Sequence, residues 1–212
     1  MPLLQDLSEA IQKGKIKNVK ELVEQAISEG FSAKTILEEG MLPGMAIIGE
    51  KFSKNQVFVP EVLIAAKAMN AGTELLKPLL VSEKIESKGK VCIGTVKGDQ
   101  HDIGKNLVKM MMEGAGLEVI DLGVNVPPQK FIDTAIKENC QIIACSALLT
   151  TTMNVMGEIV KLCEEAGIRD KVKIMIGGAP VTQEFCEKIG ADCYTPDAAS
   201  AAARAVELCA SI

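Results

Sequence analysis

The chain of 212 residues contains one histidine, His101, in the stretch Lys97-Gly98-Asp99-Gln100-His101-Asp102-Ile103-Gly104. A carboxylate two residues before an imidazole can take the N–H of one ring nitrogen. The other nitrogen is then the stronger donor, suited to binding a metal or moving a proton. Two further elements carry chemistry by their types. Ser146-Ala147-Leu148 offers a hydroxyl beside apolar surface, and Gly177-Gly178 lets backbone approach a ligand where any side chain would collide. Each also has a plainer reading: a lone histidine often caps or packs, and paired glycines often make a tight strand-to-helix turn.

The elements that must position these residues follow from hydrophobic rhythm. From Lys90 onward the short apolar runs "KVCIGTV", "LEVIDLGV", "QIIACSAL", "VKIMIGG" and "ADCYT" alternate with helical stretches starting near Gly104, Pro127, Thr150, Pro180 and Asp197. Five such units predict an α/β fold: a doubly wound, five-stranded parallel sheet, flavodoxin-like or Rossmann-like, with helices on both faces. Ligands of such sheets bind beyond the carboxyl ends of the strands, near the topological switch point. The His101 stretch follows the first strand, Ser146-Ala147-Leu148 ends the third, and Gly177-Gly178 ends the fourth. All three meet at one edge.

Residues 1–80 have a different period. "LLQDLSEAIQKG", "NVKELVEQAISEG", "SAKTILEEGMLPGMAIIGEKFSKN" and "PEVLIAAKAMNAGTELLKPLL" repeat apolar residues at three- and four-residue intervals, with glycines or capping residues at the ends. They predict a four-helix bundle. The polar stretch "VSEKIESKGK", residues 81–90, reads as a linker. The expected domains are therefore residues 1–85 and 90–212.

Several chemistries fail at the His101 loop. "GDQHDIGKN" faintly resembles a phosphate loop, but Gly98 and Gly104 stand one residue too far apart, and Asn106 replaces the hydroxyl residue that would hold magnesium. Two carboxylates would also repel phosphate. A receiver-type acidic pocket would put an acid where His101 stands. Zinc normally needs three or four protein ligands. A metal already held by a macrocycle needs only one axial ligand, which points to haem or a corrinoid.

The pattern Asp99-x-His101-x-x-Gly104, then Ser146-x-Leu148, then Gly177-Gly178 resembles the cobalamin-binding domain of methionine synthase, methylmalonyl-CoA mutases and the small corrinoid proteins of methyltransferase systems. "GMAIIGEKFSKNQVFVPEVLIAAKAMNAG", residues 44–72, is similar to the helical cap that precedes this domain. "SALLTTTM" and "GGAPVTQEF" look most like the stand-alone methyltransferase corrinoid proteins. The resemblance covers essentially the whole chain and implies a helical-bundle cap followed by a cobalamin-binding α/β domain.

It also implies roles. His101 would be the lower axial ligand of cobalt in cobalamin or a related corrinoid whose own base has left the metal. Asp99 would hold the far side of the ring, with Thr152 behind it. Gly98, Gln100, Asp102, Ile103 and Gly104 would line the loop that meets the displaced tail. Ser146, Leu148 and Thr150 would line the slot for the displaced base. Gly177 and Gly178 would pass close to its ribose and phosphate, and Tyr194 and Thr195, at the end of the fifth strand, would form another wall. Phe58, Val62, Ala65 and Met69, on one side of the fourth helix, would shield the upper face.

By the same resemblance the chain would be a methyl carrier in one-carbon metabolism. It would accept a methyl group from a substrate-specific methyltransferase and pass it to a second methyltransferase, with a reductive-activation protein as a further partner. It would not be a complete enzyme alone. A cobalamin-binding sensor or a subunit of a B12-dependent isomerase is the alternative; a sensor usually adds a basic DNA-binding module, and an isomerase needs a radical-generating barrel. Composition narrows the rest. The net charge of -5 and the scarcity of aromatics (Phe 5, Tyr 1, Trp 0) argue against nucleic-acid binding. No apolar run reaches membrane-spanning length. The seven cysteines form no C-x-x-C pair and read as reduced core thiols, which suits a cytoplasmic location.

Overall fold

The computed structural model describes residues 2–83 and 87–212. The chain divides into two compact units, Met1–Ser87 with Glu113–Gly116, and Lys88–Met112 with Leu117–Ile212. Residues 84–86 of the expected linker, and with them the expected boundary at residue 85, lie outside the described residues.

The first unit is helical: α1 (Pro2–Gln12), α2 (Ile16–Ser28), α3 (Ala33–Thr35), α4 (Leu42–Ser53) and α5 (Val59–Ser82). The third expected helix is not uniform. Ser32 caps α3 by accepting the N–H of Thr35, but residues Ile36–Met41 widen into a π-helix before α4 resumes. A Cβ at Gly40 would meet Leu7, and one at Gly44 would lie 2.8 Å from the Ser8 carbonyl oxygen, so this segment sits close against α1. At the start of α5, Pro60 occupies the first turn, where its missing N–H costs nothing, and Glu61 reaches back to accept the Phe58 N–H at 3.1 Å.

The second unit alternates β1 (Lys90–Val96), α6 (Ile103–Gly114), β2 (Glu118–Val126), α7 (Pro128–Glu138), β3 (Ile142–Ser146), α8 (Asn154–Glu165), β4 (Lys173–Gly177), α9 (Gln183–Ile189), β5 (Cys193–Tyr194) and α10 (Ala198–Ala210). All pairings are parallel, in the order β2-β1-β3-β4-β5. This is the flavodoxin-like order, and its switch point lies between β1 and β3. Helices cover both faces, so β1, β3 and β4 are almost continuously apolar. Phe131 and Ile132 of α7 and Met156 and Ile159 of α8 belong to one core with Cys92, Val96, Ile143, Cys145 and Ile174. Gly94 has no side chain because Phe131 fills the space: a Cβ there would be 2.9 Å from the ring.

Two strand ends differ from expectation. β3 stops at Ser146, leaving Ala147 and Leu148 in the following loop, and β5 stops at Tyr194, one residue before Thr195. Past Ser146 the Ala147 N–H still bonds the Gly177 carbonyl at the end of β4. All seven cysteines are free thiols, and six are buried.

Candidate functional site: a carboxylate-held histidine at the sheet edge

Asp99 organises the site. Its side chain is fully buried, yet it lies at the carboxyl end of β1 among polar donors. One carboxylate oxygen, Oδ1, accepts the His101 backbone N–H at 3.0 Å and lies 2.6 Å from the His101 Nδ1. The other, Oδ2, accepts the backbone N–H of Leu148 at 2.7 Å and of Leu149 at 3.2 Å, with the Thr152 hydroxyl at 3.3 Å. That hydroxyl has a nearer acceptor in the Leu149 carbonyl, at 2.9 Å. Burial alone would raise the Asp99 pKa, but the donors of His101, Leu148 and Leu149 outweigh it and hold the carboxyl well below the usual carboxylate range. An ionised carboxylate can only accept, so the imidazole donates through its Nδ1–H, and in the neutral ring this leaves the Nε2 lone pair free.

The ring is also available. The His101 side chain is 52% exposed, against 0% for Asp99. Its loop is fastened by Thr95, whose buried hydroxyl donates to the His101 carbonyl at 2.8 Å. The helix that follows is anchored by Lys105, an almost fully buried cation with Nζ 2.7 Å from both Asn106 Oδ1 and Asp121 Oδ1. Burial would raise the Asp121 pKa, but Lys105, the Gly123 N–H and Lys109 overcome that and lower it.

The remaining expected residues distribute as follows. Gly98, Gln100, Asp102, Ile103 and Gly104 are exposed around His101, and Asp102 accepts both the backbone and the side-chain N–H of Asn106 in the first turn of α6. Ile103 is 81% and Leu148 44% exposed, so the two loops joined through Asp99 carry exposed apolar side chains. Ser146 is half-buried opposite Gly177, and Thr150 is exposed. The Ala147 N–H donates to the Gly177 carbonyl at 3.1 Å. Tyr194, paired with Ile176, and Thr195 are half-buried at the end of β5.

Gly177 and Gly178 play different parts. A Cβ at Gly177 would meet no atom within 4 Å, so the backbone faces open space. Gly178 has φ +131°, and a Cβ there would lie 1.8 Å from the Ala147 carbonyl oxygen. The plain turn reading therefore applies to Gly178, where the close approach is to the chain itself.

The expected upper-face residues lie in the helical unit and differ in exposure. Val62, Ala65 and Met69 are buried core residues, whereas Phe58 is 64% exposed. Helical periodicity marks the stripe a bundle buries, so a residue chosen by that stripe is core first. Exposed large apolar residues of the helical unit include Ile16, Ile47, Phe58, Ile64 and Val81.

Sequence reasoning missed Leu149, Thr95, Lys105, Asp121 and Asn125. Leu149 acts through backbone and leaves no side-chain signal. Thr95 did leave one, as the sole hydroxyl in an apolar strand. A buried hydroxyl has to find a partner.

These residues fit a group that needs one axial nitrogen. Asp99 presents a single oriented imidazole, the loops around it carry exposed Ile103 and Leu148, and the glycine at the end of β4 leaves room for an appended chain. Among the described residues no cluster of three or more His, Cys, Asp or Glu side chains could hold a bare metal ion. Fold and site thus define a class: a flavodoxin-like domain whose switch-point edge exposes one carboxylate-held histidine.

Comparison with known proteins agrees. Residues 89–206 match the B12 binding domain family, and residues 3–77 match a second family also described as a B12 binding domain. The chain is 45% identical to the dimethylamine corrinoid protein of Methanosarcina barkeri over 98% of both chains. It is 48% identical to trimethylamine corrinoid protein 1 of Methanosarcina acetivorans over 82% of both. The crystal structure of the methanol:cobalamin methyltransferase complex of Methanosarcina barkeri matches with a TM-score of 0.87 at 30% identity, covering 100% of this chain and 81% of that one. A cobalamin-binding protein of Desulfitobacterium hafniense matches with a TM-score of 0.81 at 29% identity, covering 97% and 98%. The chain belongs to the family of B12-binding corrinoid proteins.

The Asp99 network carries a measurable stability. Asp99→Asn places an amide NH₂ against backbone N–H groups that can only donate, and is expected to cost the cofactor-free protein about 2–3 kcal/mol at pH 7. A carboxyl whose folded pKa is depressed stabilises above its unfolded value, roughly 4, and loses that benefit as pH falls toward the folded value. The gap between wild type and Asp99→Asn should therefore narrow below about pH 4. Urea denaturation of both proteins at neutral and acid pH measures it; a gap independent of pH would show that the charge of Asp99 contributes nothing.

Proposed function

We propose that this chain is the corrinoid-carrying component of a methyltransferase system, loaded from a substrate-specific methyltransferase and unloaded by a second one. The observation that carries this reading is the Asp99–His101 pair, placed at the switch point of a B12-binding fold. A bound corrinoid supplies the cobalt centre that accepts and releases the methyl group.

The chain's own residues hold and tune that group. His101 would coordinate through Nε2, while Asp99 keeps the proton on Nδ1 and raises the donor strength of the ring. The backbone N–H groups of Leu148 and Leu149 keep Asp99 ionised, so the pair stays polarised. Ile103 and Leu148 offer apolar contact beside the ligand. Ser146, Thr150, Gly177, Tyr194 and Thr195 would line the slot for the displaced tail. Among the proposed shielding residues Phe58 has exposed apolar surface to contribute.

Identity supports a methylamine-class donor, since it is higher to the dimethylamine and trimethylamine corrinoid proteins than to the methanol system. The methanol:cobalamin complex supports a methyltransferase as direct partner. A reductive-activation protein is the further partner of this reading. Among the described residues no helix is long and apolar enough to cross a membrane, and the free buried thiols support a reducing, cytoplasmic setting.

The carrier reading has a direct test. The corrinoid-loaded protein mixed with mono-, di- or trimethylamine alone is expected to show negligible demethylation, followed by absorbance of the corrinoid. Adding a cognate methyltransferase should start it. Efficient demethylation by this chain by itself would sink the reading.

A further inference from the structure

The histidine loop is clamped from both neighbouring strands, and one clamp belongs to no motif. β1 lies between β2 and β3. From the β3 side, Leu148 and Leu149 hold the Asp99 carboxylate. From the β2 side, Asn125 holds the main chain of the same turn. Its Oδ1 accepts the Gly98 N–H at 2.8 Å, and its own backbone N–H donates to the Asp99 carbonyl at 2.9 Å.

The backbone is shaped for this contact. Along β2 the register slips twice: Ile93 pairs with Asp121, Gly94 with Gly123, and Val96 with Val126. The second slip puts Asn125 in a bulge, and it has φ +52°. Left-handed backbone is uncommon for a residue with a Cβ, and asparagine tolerates it best. Bulges re-aim side chains, and here the side chain is turned onto Gly98. Gly98 is itself left-handed, with φ +86°. A glycine that allows the turn also leaves it free to open, so the turn needs an outside restraint.

We propose that Asn125 is a positioning residue for the Asp99–His101 pair: by bonding both peptide groups of the Gly98–Asp99 turn, it sets the direction in which His101 presents Nε2. The inference rests on the reading of His101 as a ligand, and its test separates the two. Asn125→Gly keeps the left-handed backbone and removes the acceptor. Asn125→Asp keeps both a side-chain oxygen and a tolerated backbone, and serves as the rescue.

In the cofactor-free protein the sole imidazole gives an isolated nitrogen NMR signature. Wild type and Asn125→Asp are expected to show the Nδ1–H form. Asn125→Gly should show a mixture of forms and faster hydrogen exchange at the Gly98 amide, with an unchanged circular-dichroism spectrum. In the corrinoid-loaded protein reduced to cobalt(II), Asn125→Gly should lower the fraction of molecules with histidine nitrogen coupling in the electron-spin spectrum. Its corrinoid Kd should rise about tenfold, the lower end for an outer-shell partner. Wild-type tautomer, coupling and Kd in Asn125→Gly would overturn the proposal, as would a loss that Asn125→Asp fails to rescue. Should wild type itself show no nitrogen coupling, the ligand reading falls and this proposal with it, whereas normal coupling in wild type with no response to Asn125→Gly removes the proposal alone.

Discussion

His101→Ala protein is expected to fold as wild type does and to lose the nitrogen coupling of its cobalt(II) electron-spin spectrum completely. The two effects separate because the ring is half exposed and its backbone N–H still bonds Asp99 after truncation. Asp99 also keeps its bonds from Leu148 and Leu149, so folding stability should change by about 1 kcal/mol or less. The cofactor slot survives, and corrinoid binding should persist while weakening by roughly tenfold or more. No second histidine exists to take over. Cys145→Ala is the control: Cys145 precedes Ser146 but points into the core shared with Met156 and Ile159, and ligation should be unaffected. Unchanged nitrogen coupling in His101→Ala would overturn the site assignment.

The adjacent glycines Gly177, which ends β4, and Gly178, which follows it, are expected to respond in opposite ways. In Gly178→Ala the new Cβ would press 1.8 Å from the Ala147 carbonyl oxygen, against backbone that cannot rotate away, at a φ of +131° that a side chain rarely adopts. The ends of β3 and β4 must part. A loss of about 3 kcal/mol or more is expected, at the upper end for overpacking with backbone strain. Gly177→Ala adds a methyl group to open space and should leave stability within about 1 kcal/mol. If that space takes the displaced tail, Gly177→Ala should nevertheless weaken corrinoid binding. Thermal denaturation of the cofactor-free variants together with corrinoid titration distinguishes the two. Equal stability of the pair would contradict the backbone contact at Gly178, and unaltered binding by Gly177→Ala would remove Gly177 from the slot.

Much of this molecule was legible in sequence because its signals are local. The apolar runs from Lys90 onward and the helical periods between them define the βα alternation, since a strand buried on both faces must be apolar throughout. Alternation implies a parallel sheet, and a parallel sheet puts every βα loop at one edge. That is why Asp99, His101, Ser146 and Gly177 could be placed together before any coordinates. The motif also has a short-range core: the Asp99–His101 contact spans two residues and needs only one turn to form.

Tertiary structure decided what depends on backbone direction and on which stripe is buried. The ionised state of Asp99 comes from the backbone N–H groups of His101, Leu148 and Leu149, and any residue but proline there carries the same N–H. The clamp from Asn125 depends on a register slip in β2, which only pairing with β1 creates. The burial of Val62, Ala65 and Met69 likewise followed from helix packing, since apolar spacing cannot tell a core stripe from an apolar lid. Gly178 reads identically to Gly177 in sequence; the carbonyl of Ala147, brought beside it by the β3–β4 pairing, makes one a structural necessity and leaves the other facing open space. The sequence by itself determined which groups reach the edge, because side-chain type and element order are written residue by residue. Only the fold decided their directions and charge states, because those are set by peptide groups whose neighbours are distant in the chain.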